Sequence, residues 1–69
     1  MSHDTKVGMM IVAQNALMAN AALALMSVAQ AQLTPADDVP ALGRQAKAID
    51  DALEAMQAAL QAFGTVARS

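Results

Sequence analysis

Apolar residues in the second half of the chain repeat with the spacing of a coiled-coil helix. From residue 39 onward they follow one another at alternating intervals of three and four, which places them on one side of an α-helix. In a heptad lettered a to g, position a holds Val39, Ala46, Leu53, Leu60 and Ala67, and position d holds Leu42, Ile49, Met56 and Phe63. The pattern predicts a second helix over about residues 40 to 66. Its predicted oligomer interface consists of Val39, Leu42, Ala46, Ile49, Leu53, Met56, Leu60 and Phe63.

Alanines widen the apolar side of this helix. Position c holds Ala41, Ala48, Ala55 and Ala62, and position g holds Gln45, Ala52, Ala59 and Val66. The apolar arc therefore includes c, g, d and a, and one partner helix cannot cover it. The remaining arc is predicted to face solvent and holds Arg44, Lys47, Asp50, Asp51, Glu54, Gln57, Gln61 and Arg68.

The first half of the chain is rich in Ala, Leu and Met, which are strong helix formers, and predicts a first helix over about residues 5 to 33. Residues 1 to 4 form a predicted polar tail, in which Ser2 or Asp4 caps the helix. Large apolar side chains point nearly all round this helix, so it lies either at the centre of an assembly or in lipid. Its predicted partner or bundle-core face is Val7, Ile11, Met18, Leu25 and Met26.

Polar and sulfur-containing residues of the first helix allow alternative interpretations. Asn15 and Asn20 are predicted to set the register of the assembly, the alternative being that they belong to a hydrated stripe or pore. For the methionines the preferred interpretation is core packing, and the alternative is an adaptable surface for a partner. These methionines are Met9, Met10, Met18 and Met26.

The two predicted helices are separated by a short proline-containing turn, residues 34 to 39. Thr34 precedes Pro35, and a residue before proline is disfavoured in a helix, so the first helix stops there. A new helix can start with Thr34 as N-cap, or with Asp38 as N-cap so that the helix proper begins near Pro40. Two long helices joined by so short a turn are usually antiparallel. The predicted fold is therefore all-α, a single helical-hairpin domain over residues 1 to 69.

Composition limits how such a hairpin can be stabilised and what it can bind. Of 69 residues, 18 are Ala and none is Cys, so neither disulfides nor thiolate metal sites can reinforce the fold, and oligomerisation is the remaining device. The formal charge is -2, the four basic residues are scattered, and Phe63 is the only aromatic residue. Nucleic-acid binding requires concentrated positive charge, so we expect no nucleic-acid partner.

No charged residue occurs from position 7 to position 36, a run of 30 residues that is long enough to cross a membrane. Amides such as Gln14, Asn15 and Asn20 interrupt it, and alanine is only weakly hydrophobic, which disfavours insertion. The segment ending in Ala29-Gln30-Ala31 also has the small-residue pattern of a signal-peptide cleavage site. Cleavage there would leave 38 residues, which is too few for a core, so we expect a structural helix.

The chemistry-bearing side chains do not form a recognisable catalytic set. His3 is expected to be a tail residue, and Asp50, Asp51 and Glu54 are expected on a solvated helix face with no His or Tyr beside them. No nucleophile, base and orienting group can be assembled, and the sequence has no glycine-rich phosphate loop. We therefore expect no enzymatic activity, no metal site and no cofactor.

The plan of helix, short proline-containing turn and helix resembles in architecture that of secretion-needle subunits, pilins, secretion chaperones and small phage virion proteins. Our first hypothesis is a non-enzymatic hairpin that self-associates into an oligomeric helical bundle or coiled-coil assembly, at least a dimeric four-helix bundle. It would act as a structural or adaptor component of a larger protein assembly, such as a virion or secretion apparatus. Its expected partners are further copies of itself and a second protein, in the cytoplasm or a virion. One alternative is a holin-like or channel-forming protein that inserts its first helix into a membrane. A weaker alternative is an inhibitor that binds a larger host protein.

Overall fold

The computed structural model describes residues 2 to 69 and contains two α-helices packed against each other. Helix α1 spans His3–Leu33 and helix α2 spans Val39–Ala67. They run antiparallel, because Lys6 Nζ lies 3.5 Å from the carbonyl oxygen of Ser69 at one end and Gln45 contacts Thr34 at the other. The backbone forms a rod with dimensions of 54 × 14 × 11 Å. The predicted all-α hairpin is thus confirmed.

Helix α1 begins two residues earlier than predicted, because Ser2 is its N-cap. The Ser2 hydroxyl oxygen accepts a hydrogen bond of 3.1 Å from the backbone N–H of Thr5, which would otherwise have no partner in the helix. His3 and Asp4 therefore belong to the first turn of α1 and not to a polar tail. Met1, the first residue of that predicted tail, lies outside the described residues.

The turn follows the second of the two starts predicted for helix α2. Thr34 adopts an extended conformation before Pro35, and the N–H of Asp38 donates to the carbonyl oxygen of Pro35 at 3.0 Å. Asp38 is the N-cap, because its Oδ1 accepts from the N–H of Ala41 at 3.3 Å. Helix α2 then continues through Gly64 to Ala67.

The contact between the helices is made mainly by small side chains. Four of the described residues are buried, and all of them belong to this contact: Ala13 on α1, and Ala52, Ala59 and Val66 on α2. On α1 most of the residues with reduced exposure recur at intervals of three and four, namely Lys6, Met10, Ala13, Leu17, Asn20, Ala24, Ser27 and Ala31, and Ala21 beside Asn20 also has reduced exposure. Small residues at these positions let the two backbones approach closely, but they bury little apolar area.

On α2, the contact with α1 uses positions d and g. The d residues Leu42, Ile49, Met56 and Phe63 are partly buried, whereas Val39, Leu53 and Leu60 at position a are 70%, 47% and 56% exposed. The a and d residues predicted as one interface are therefore divided by the fold. The d residues contact the other helix of the same chain, and the a residues remain accessible to a partner.

Candidate functional site

One broad side of the hairpin carries most of the exposed large apolar side chains, and we call it the leucine face. Its α2 part is the row of exposed a residues. Its α1 part lies on the same side of the hairpin. On this side Gln14 and Leu17 of α1 meet Leu60 and Phe63 of α2 around a hollow of about 260 Å³. The leucine face consists of Val7, Ile11, Met18, Leu25 and Val28 on α1 and Val39, Leu53 and Leu60 on α2, each 39% to 70% exposed.

The opposite side is smoother, and we call it the alanine face. It contains an open groove of about 820 Å³ between the helices, with Ala55, Ala58 and Ala62 of α2 on one side. The α1 side of the groove includes Thr5, Gly8, Met9, Val12 and Ala16. Leu23 follows on the same side of α1 by helical spacing and is 54% exposed. Towards the turn, the row of alanines continues with Ala48 and Ala41 beside Ser27 and Gln30.

The five residues predicted as a partner or core face of α1 do not all lie together. Val7, Ile11, Met18 and Leu25 share the leucine face. Met26 is 59% exposed and turns away from α2, because it lies 100° further round the helix than Leu25. The adjacent side chains Leu25 and Met26 therefore cannot contact the same flat partner surface.

The two asparagines predicted to set the register have different environments. Asn20 is partly buried against α2, and its Nδ2 donates to the carbonyl oxygen of Ala16 in the same helix at 2.8 Å. Asn15 is exposed on the outer side of α1. Only Asn20 thus lies in the contact between the helices, and its hydrogen bond is local to α1. A register role in an oligomer stays a prediction for both residues.

Of the four methionines considered on α1, Met10 alone is partly buried in the contact with α2. Met9, Met18 and Met26 are 44%, 62% and 59% exposed. The single hairpin does not bury these three side chains, so core packing stays a prediction for them that requires an assembly. They contribute flexible apolar surface that a partner can cover.

The outer arc of α2 is polar, and every charged residue on it is exposed. Lys47 Nζ and Asp51 Oδ2 are 3.0 Å apart, one turn apart on this arc. The hydrogen bond to Asp51, followed by its negative charge, raises the pKa of Lys47 above its ordinary value. A raised pKa means that Lys47 is charged at neutral pH and loses its charge only as the pH rises through the lysine range. The pair is fully solvated, so it contributes little to stability.

Side chains able to ligate metals are dispersed along the described part of the chain. Between residues 2 and 69 there is no group of three or more His, Asp or Glu side chains that could hold a metal ion. His3 is exposed in the first turn of α1, far along the rod from Asp50, Asp51 and Glu54 on α2.

Helix α1 is also long and apolar enough to cross a membrane. It is the one helix with this property within residues 2 to 69, and only 6% of its most apolar window is buried inside the hairpin. The core helix of a soluble protein has the same composition but is mostly buried, so the apolar surface of α1 needs another explanation. A protein partner, a lipid environment and the role of a signal sequence near the N-terminus are the candidates.

Comparison with known proteins gives no match: no family model, no curated protein and no solved structure is significantly similar to this chain.

The sequence places the g residues in the apolar arc of α2 but does not show which helix covers them, and it does not predict the groove of the alanine face. A signal for the g residues was present, since Ala52, Ala59 and Val66 follow one another at intervals of seven. On α1 the corresponding small residues are Ala13, Ala24 and Ala31. They are hard to recognise in the sequence as contact positions, because large apolar residues are more numerous in this helix. Small residues at helical spacing predict a close helix contact as well as large ones do.

Proposed function

We propose that this protein is a non-enzymatic, self-associating helical hairpin that serves as a structural or adaptor piece of a larger protein assembly. The observation that carries the proposal is the imbalance between buried and exposed apolar side chains. Thirteen large apolar side chains are exposed, whereas the buried core consists of three alanines and one valine. Monomeric soluble proteins rarely expose apolar patches of this extent, and association removes them from water.

The accessible surface area supports the same proposal. The chain of 7.1 kDa exposes 4934 Å², whereas a compact monomer of that mass exposes about 4,100 Å². The excess arises because the molecule is a thin rod of two helices, which leaves most residues of α1 and α2 exposed to solvent. Many additional contacts with other chains are therefore possible without unfolding the hairpin.

The experiment that tests this proposal is absolute mass by light scattering on protein purified without detergent, over a range of concentrations. We expect a discrete species of at least twice the 7.1 kDa chain mass. Circular dichroism on the same samples should show high helicity throughout. A helical species that keeps the mass of one chain at all concentrations would contradict self-association.

The main alternative is a membrane protein that inserts α1, and a specific observation favours it. The uncharged run from residue 7 to residue 36 covers most of α1, and that helix exposes Leu25 and Met26 on different sides. In this alternative α2 would lie outside the bilayer, because its outer arc carries charges.

Liposome flotation separates the two proposals. If α1 inserts, the protein should aggregate without detergent, float with vesicles and resist extraction by high salt. A soluble oligomer should remain in the bottom fraction. The variant Met26→Glu tests α1 directly: it should abolish flotation if α1 is in lipid and leave the mass of a soluble oligomer unchanged if Met26 faces water.

A further inference from the structure

The leucine face has the properties of a surface that binds a second copy of the same chain. We propose that two hairpins pack leucine face against leucine face in antiparallel orientation, so that the turn of one lies beside the open end of the other. The inference rests on the proposed self-association and adds to it the surface and the orientation.

The distribution of large side chains distinguishes the two faces of the hairpin. The leucine face exposes eight Val, Ile, Leu and Met side chains from both helices. The alanine face exposes three such side chains, Met9, Val12 and Leu23, all from α1. Since the gain from association grows with the apolar area removed from water, covering the leucine face stabilises the complex more.

The hairpin exposes more surface than a compact monomer of its mass. The accessible surface exceeds that of a compact monomer by about 800 Å², and a standard protein interface covers about 800 Å² on each partner. The leucine face runs along the rod from Val7 to Val28 on α1, so a second rod aligned with the first can cover it along its length. A dimer that buries about 800 Å² on each hairpin removes roughly half of the surface by which two separate hairpins exceed a compact protein of their combined mass.

The shape of the leucine face is compatible with pairing to itself. Exposed side chains project from both helices, and the hollow lined by Leu17, Leu60 and Phe63 lies between them. A two-fold dimer requires one surface to supply both the projections and the hollows, because the same patch occurs on both subunits. Helix pairs with these properties form four-helix bundles.

The charges at the two ends of the rod favour the antiparallel orientation. The turn end carries Asp37 and Asp38, with Arg44 about one and a half turns into α2, and the open end carries Lys6 and Arg68 together with Asp4. In an antiparallel pair, each acidic turn lies beside an open end whose side chains have a net positive charge. A parallel pair would bring four turn aspartates together, and like charges side by side disfavour a complex.

Two leucines on α1 provide a matched test of the face. Leu25 lies on the leucine face and is 70% exposed, and Leu23 lies on the alanine face and is 54% exposed. Leu25→Glu and Leu23→Glu introduce the same charge two residues apart, and both sites are exposed in the single hairpin, so both variants should stay helical. We expect Leu25→Glu to weaken dimerisation by about 100-fold or more, because the charge would be buried without a partner. Leu23→Glu should retain the dimer.

The remaining outcomes separate failure of the inference from failure of the proposed function. If Leu25→Glu keeps the dimer, or if Leu23→Glu alone loses it, the leucine face is the wrong surface although self-association stands. If the unmodified protein is already a monomer, the proposed function itself fails. Light scattering with circular dichroism distinguishes these cases.

Single cysteines test the orientation, because the chain has no other thiol. Leu53 is the middle residue of α2 and lies on the leucine face, so an antiparallel two-fold axis brings it beside its own counterpart. Leu60 lies seven residues further along, which separates the two copies of that residue by about 21 Å. Disulfides require Cα atoms within about 7 Å. Mild oxidation should therefore cross-link Leu53→Cys and leave Leu60→Cys monomeric in denaturing gels; absence of a cross-link in Leu53→Cys would overturn the antiparallel orientation.

Discussion

Gln45 on α2 donates a hydrogen bond from its Nε2 to the hydroxyl oxygen of Thr34, 2.9 Å away, at the C-cap of α1. The Thr34 hydroxyl in turn donates to the carbonyl oxygen of Gln30 at 2.7 Å. The Gln45 Oε1 is buried and has no hydrogen-bond partner within the described residues. The Thr34 hydroxyl is therefore the hydrogen-bond partner of the Gln45 side chain, and this bond connects the end of α1 to α2 beside the turn.

Removing the Thr34 hydroxyl should destabilise the hairpin. Thr34→Val keeps the shape but leaves the part-buried Gln45 amide without a partner, so we expect a loss of about 1 to 3 kcal/mol in the free energy of unfolding. Adding Gln45→Leu should recover most of that loss, since replacing both members of a buried polar pair is nearly neutral. Urea unfolding at one fixed protein concentration measures both effects. Thr65→Val, at an exposed site, is the control, and an equal loss there would contradict the assignment.

Asp38 and Asp37 form a matched pair of aspartates for the cap of α2. The Asp38 carboxylate accepts from the N–H of Ala41, and Asp37 lies in the preceding turn. We expect Asp38→Ala to reduce stability by about 1 kcal/mol and Asp37→Ala to change it less. Thermal unfolding followed at the helical signal should show the larger decrease in midpoint for Asp38→Ala. The reverse order would argue for a different N-cap.

Close packing at Ala59 predicts that a larger side chain there is harmful. Ala59 is 7% exposed. Together with Ala13 it lines the groove of the alanine face and the hollow of the leucine face. Ala59→Leu must separate the two backbones, which costs about 1 to 3 kcal/mol. The neighbouring Ala58 is exposed, so Ala58→Leu should stay within about 0.5 kcal/mol. Comparable losses in the two variants would indicate that the helices do not pack through Ala59.

Gly43 offers a stabilising substitution. It lies inside α2 without a positive φ angle, and a Cβ atom at this position would meet nothing within 4 Å. Gly43→Ala should therefore raise stability by about 1 kcal/mol through helix propensity. At Gly64 a Cβ atom would lie 3.1 Å from Nη1 of Arg68, so Gly64→Ala should gain less because that side chain must move. A decrease in stability for Gly43→Ala would mean that this position contacts a partner.

The sequence did not determine which part of the apolar arc of α2 contacts α1. Positions c, g, d and a all carry apolar residues, so an intramolecular contact through a and d was as compatible with the sequence as one through d and g. The fold uses d and g, because the alanines at g let Ala13 of α1 approach closely. The exposed row formed by Val39, Leu53 and Leu60 follows from that choice.

The sequence by itself determined the local features of this protein. Two helices, the break at Pro35 and the excess of apolar surface could be predicted, because propensity, capping and proline stereochemistry act within a few residues. The tertiary structure decided which of the two possible caps starts α2, where Asn20 lies, and how the apolar side chains divide into a leucine face and an alanine face. Those outcomes depend on the rotation of one helix about its axis relative to the other, and that rotation is set by packing between residues far apart in the chain.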